Sequence, residues 1–124
     1  MFGFFELFGA SRAQRKVDAA FREVGVHPRL VPDAVKISII RQLQSDSHPG
    51  AAGEAACAEI LGYLMHGSAV FAEDNGAYAM REVQGRIESA ISAGDSPDAR
   101  LVLLALHAGI VAPEVIDEYE LGID

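Results

Sequence analysis

The chain has 124 residues, half of them hydrophobic and 23% charged, with one cysteine, no tryptophan and a formal net charge of −8. At this size the area scaling expects roughly 6,400 Å² exposed out of roughly 19,000 Å² in the unfolded chain, so a single domain can build its core without disulfides or metal. The composition excludes a disordered chain, the lone Cys57 excludes a disulfide framework or a four-thiolate centre, and the acidic balance argues against DNA or RNA as the main partner.

The N-terminus, MFGFFELF, puts Phe2, Phe4, Phe5, Leu7 and Phe8 ahead of Arg12, Arg15 and Lys16. No basic residues precede the apolar run and Glu6 interrupts it, so it is expected to be retained rather than cleaved as a secretory signal. No stretch approaches the roughly eighteen apolar residues of a membrane span. Ser11 and Gln14 form a capping box, which predicts a helix over about 11–24 with Val17, Phe21 and Val24 on one face, stopped by Gly25 ahead of Pro28. The aromatic segment before it is expected to pack on the bundle as a separate element.

Pro32 and Asp33 predict a second helix over about 32–45, with Val35, Ile39 and Leu43 as its stripe and Ile37 and Ile40 widening it. The longest periodic segment, about 50–73, carries Leu61, Leu64 and Phe71 on one face and the small residues Ala51, Ala55, Ala58 and Gly62 on another. Gly62 and Gly67 each cost about 1 kcal/mol against alanine, which makes Gly67 the candidate position for a kink. Asn75-Gly76 reads as a helix-to-helix turn, and Ala79, Val83, Ile87 and Ile91 define the inner face of a helix over about 76–93.

Ser96-Pro97-Asp98 is the cleanest start signal in the chain, and the helix it opens, about 97–108, is apolar almost all round; it is expected at the centre of the bundle. A last helix, about 113–120, follows Pro113 with Val115, Ile116 and Tyr119 inward. The fold expected is therefore all-α, one domain over residues 1–124, a compact bundle of five or six helices with short loops.

Catalytic patterns are sparse. GYLMHGS (Gly62–Ser68) has phosphate-loop glycine spacing but no lysine and no preceding strand, and DEYELG (Asp117–Gly122) places Tyr119 and Leu121 where calcium would need oxygen ligands. The best constellation is Glu59, Tyr63, His66 and Glu73, which share a face if one helix runs through them. Glu59, His66 and Glu73 are the metal candidates and Tyr63 and His66 the ligand candidates, although a hydrogen-bonded polar face accounts for all four more simply. His107 falls in a last helical turn, where an imidazolium favours the dipole, while His27 and His48 precede prolines in connections. Cys57 reads as a small hydrophobe in an alanine-rich helix.

Charge is segregated along the chain: residues 11–41 carry seven basic and three acidic residues, +4, whereas residues 42–124 carry three basic and fourteen acidic, −11. The expectation is a non-enzymatic interaction or regulatory protein, cytoplasmic, with no cofactor, that self-associates as a homodimer or binds another protein through apolar surface including Phe2, Phe4, Phe5, Leu7 and Phe8. The alternatives are a peripheral membrane protein held by residues 1–16, and a ligand- or metal-binding helical protein or enzyme using Glu59, Tyr63 and His66.

Overall fold

A computed structural model describes residues 4–45 and 51–122, with side chains from Arg12 to Gln44 and from Gly53 onward. Among the described residues the chain is entirely helical: α1 (Phe4–Glu23), a 3-10 turn (Pro28–Leu30), α2 (Asp33–Ser45), α3 (Ala51–His66), α4 (Ser68–Asn75), α5 (Ala77–Ala93), α6 (Pro97–Ala108) and α7 (Pro113–Tyr119).

Two boundaries differ from expectation. α1 begins at Phe4, so Ser11 is an interior helical residue and its capping box with Gln14 does not start the helix. A capping side chain can act only if the backbone before it leaves the helix, and one glycine followed by alanine does not force that exit. The aromatic segment is thus the first part of α1 rather than a separate element. Phe2 lies outside the described residues, and Phe4, Phe5, Leu7 and Phe8 are described as backbone alone, so their expected packing on the bundle lies outside what is described.

The predicted helix over 50–73 is two helices, making seven in all among the described residues. Gly67 breaks it with φ 88°, a conformation that side chains with a Cβ rarely adopt. The carbonyl of Leu64, which a continuous helix would satisfy from Ser68, accepts instead from the Ala112 amide at 2.8 Å, tying the start of α7 to the end of α3.

The centre of the bundle also moves. α3, not α6, packs against α1, α2, α4, α5 and α6, and it buries Cys57, Ala58, Ile60, Leu61, Tyr63 and Leu64. Its small residues explain why: a Cβ on Gly62 would stand 3.1 Å from Val24 and 3.4 Å from Val26, so the glycine admits the end of α1. α6 buries Leu101, Val102 and Ala105 but leaves Leu103 exposed. Val17 and Phe21 of α1, Val24 just beyond it, Val35 and Ile39 of α2, Val83 and Ile87 of α5 and Val115 of α7 are buried as expected; Ile37 and Ile91 are exposed.

Ser96 caps α6 as the sequence implies, its Oγ accepting from the Ala99 amide at 3.0 Å. Asn75 does more than turn the chain, because its side-chain amide donates to the Val24 carbonyl at 2.9 Å and locks α4 to the end of α1. Among the described residues no helix is long and apolar enough to cross a membrane.

Candidate functional site

The helical face expected to gather Glu59, Tyr63, His66 and Glu73 is divided. The break at Gly67 puts Glu73 on α4, exposed, while His66 is the half-buried last residue of α3. Among the described residues no three His, Cys, Asp or Glu side chains stand together as a metal would require.

Glu59 faces α5, where its Oε1 lies 3.4 Å from Arg86 Nη1. The guanidinium is committed elsewhere as well: Nε and Nη2 donate to the two carboxylate oxygens of Asp98 at 3.1 and 2.8 Å, and Nη2 donates to the Ala56 carbonyl at 2.9 Å. Burial opposes the charge on Arg86, but the Asp98 hydrogen bonds and the nearby Asp98 and Glu59 charges outweigh it and raise its pKa above the ordinary arginine value. The fork-on-fork pair joins α5 to the first turn of α6 and α3 to both, which is a structural clamp.

Tyr63 is fully buried with its hydroxyl in a polar knot. The hydroxyl donates to Glu118 Oε1 at 2.8 Å, accepts from Gln84 Nε2 at 2.9 Å and lies 3.5 Å from the Tyr119 hydroxyl. Its ring meets Phe71 edge-on at 5.8 Å between centroids. Burial pushes both phenols above their ordinary pKa, with Glu118 adding to the rise in each. A phenol working as a base or nucleophile needs the opposite shift, so this knot holds α3, α5 and α7 together rather than moving protons.

His27 accepts the Arg29 amide on Nδ1 at 3.1 Å and caps the 3-10 turn; His107 sits exposed in the last turn of α6; His48 lies outside the described residues. Cys57 is buried.

The feature that sequence reasoning missed is an apolar groove between α5 and α6. Ile91, 45% exposed, and Leu103, 53% exposed, line it together with Ala90, Ala99, Val102 and Leu121. It encloses about 190 Å³, the room of a few methylene groups. Both exposed residues read as core from the sequence, since an isoleucine in phase with Val83 and Ile87 belongs on an inner face. The signal that could have exposed it is the alanine at 90, whose small side chain lies against α6 and draws the buried face one residue away from Ile91.

Comparison of the chain with protein-family models, with curated proteins and with solved structures gives no match.

Proposed function

We propose that this protein is a non-enzymatic interaction module that self-associates through exposed apolar surface, with the α5–α6 groove as its principal contact. The observation that carries the reading is the pair Ile91 and Leu103, two large aliphatic side chains about half exposed that line one apolar groove. Leaving them in water is unfavourable, and an association that covered the groove would bury both together.

The titratable clusters support the non-enzymatic half of the reading. Arg86, Glu59 and Asp98 satisfy one another, and the Tyr63 phenol is held protonated among hydrogen-bond partners. Neither presents a group poised to exchange protons near neutral pH.

Phe4, Phe5, Leu7 and Phe8, expected to join the same interface, stand on α1, which packs on α2, α3 and the 3-10 turn. The groove is therefore tested by itself. Leu103→Glu places a charge on an exposed wall without entering the core, and it is expected to abolish association while leaving the helical content intact; an unchanged mass in solution would remove the groove from the interface.

A further inference from the structure

Only Gly94–Ser96 connects α5 to α6, and the two helices pack on each other, so they run antiparallel as a hairpin. They line the groove unequally. α5 supplies the small Ala90 and Gly94 around Ile91, at the spacing of three corners of a hole that takes a side chain from a facing helix. α6 supplies, besides Ala99, the larger Val102, Leu103 and Leu106. Large residues pack closely on small ones, so the surface of α6 suits α5 better than it suits itself.

The exposed charges beside the groove are divided in the same way. Counted outward from the connection, the α5 side presents Asp95, Ile91 and Glu88, and the α6 side presents Arg100, Leu103 and His107, all of them exposed. Glu88 and Ile91 are three apart on α5, and Arg100, Leu103 and His107 are spaced i, i+3, i+7 on α6, so each aliphatic residue shares its face with charged or polar neighbours. Asp95 follows Gly94, which lines the groove. The side chains of Asp95, Arg100 and His107 make no hydrogen bond or ion pair among the described residues. The remaining charges nearby do not blur the division: Arg86 and Asp98 pair with each other, and Glu120, beside Leu121, adds a further carboxylate.

We propose that a second copy of this chain docks on the groove about a two-fold axis parallel to α5 and α6, so that α6 of each copy packs on α5 of the other. This rests on the self-association proposed above and fixes its geometry. With the axis along the helices, each side of the groove meets the opposite side of the second copy at the same distance from the connection. Leu103 then meets the partner's Ile91, Arg100 meets the partner's Asp95 and His107 meets the partner's Glu88, each contact occurring twice by symmetry. A neutral imidazole still has an N–H to give a carboxylate, so the last pair does not depend on a charged histidine. With the axis across the helices, α5 would lie on α5 and α6 on α6. That arrangement sets Asp95 against the partner's Glu88, Arg100 against the partner's His107, and the large residues of α6 against one another. Charges flanking an apolar helical seam choose partner and orientation, and here both charge and side-chain size select the first arrangement.

The test is sedimentation equilibrium of the full chain, of Asp95→Arg, of Arg100→Glu and of an equal mixture of the two variants, with circular dichroism to confirm that each is folded. Salt of about 0.15 M confines the effect to neighbouring charges, since screening acts over about 8 Å. Each reversal sets like charges at both symmetry-related Asp95–Arg100 contacts and is expected to weaken the dimer about tenfold. Asp95→Arg also reduces the formal −8 of the chain, so its weakening cannot come from overall repulsion. In the mixture opposite charges face each other again at both contacts, and association is expected to return to about the wild-type strength. Either reversal tightening the dimer, or both leaving it unchanged, overturns this geometry while self-association stands. So does a mixture no tighter than its components. A wild-type chain that stays monomeric removes self-association itself, and this geometry with it.

Discussion

Lys36 Nζ lies 2.9 Å from Asp18 Oδ1, an ion pair between α2 and α1 in which the lysine side chain is 6% exposed and the aspartate 22%. The contact is close but not aligned as a hydrogen bond at that oxygen. The two partners therefore differ in what their loss leaves behind. Asp18→Ala strands a buried ammonium and is expected to cost about 2–4 kcal/mol, whereas Lys36→Met fills the same space with apolar atoms and leaves a carboxylate that can reach water, costing about 1 kcal/mol or less. Urea denaturation of the two variants checks the order; equal losses would mean that the pair acts through packing alone.

The polar knot at Tyr63 predicts how the protein fails in alkali. Both Tyr63 and Tyr119 titrate above the ordinary phenol value in the folded state. As pH approaches and passes about 10, where an unfolded tyrosine is half ionised, the unfolded state binds fewer protons than the folded one, so stability falls as pH rises. Well below that pH the contribution is fully present. Denaturation midpoints at pH 8, 10 and 11 are expected to decline slightly over the first interval and more steeply over the second. Tyr63→Phe should flatten that decline and cost about 1–2 kcal/mol at neutral pH through the unpaired Gln84 amide and Glu118.

Two glycines should respond in opposite directions to the same substitution. Gly67 has φ 88° and a Cβ there would run into Glu114, so Gly67→Ala is expected to lose about 1–3 kcal/mol. Gly85 is inside α5 with open space around it, so Gly85→Ala should gain about 0.5–1 kcal/mol. Thermal melts of the pair test whether Gly67 breaks the helix because the fold requires it.

Local rules made much of this fold legible. Ser96-Pro97-Asp98 and Pro113 marked helix starts because proline and a capping hydroxyl act on their immediate neighbours, and the stripes Val17–Phe21–Val24 and Val83–Ile87 faced the core because periodicity reports one buried side. What sequence could not supply was the identity of each neighbour. Whether Gly67 kinks or breaks a helix depends on where α7 lies, and α6 lost the centre to α3 because small residues on α3 admit helices on several sides. The site residues suffered most. Glu59 and Tyr63 were singled out as a face, but Arg86, Asp98, Gln84 and Glu118, which occupy them, come from helices that periodicity cannot orient.

Sedimentation equilibrium over a wide range of protein concentration, on the wild-type chain and on Leu103→Glu, tests self-association through the α5–α6 groove most directly. The groove reading predicts a wild-type mass that rises with concentration from that of one chain toward two, and a variant that remains monomeric with the same circular dichroism spectrum. A wild-type protein that stays monomeric to about millimolar concentration, where even a contact of about −4 kcal/mol would register, or a variant that associates as the wild type does, would contradict it.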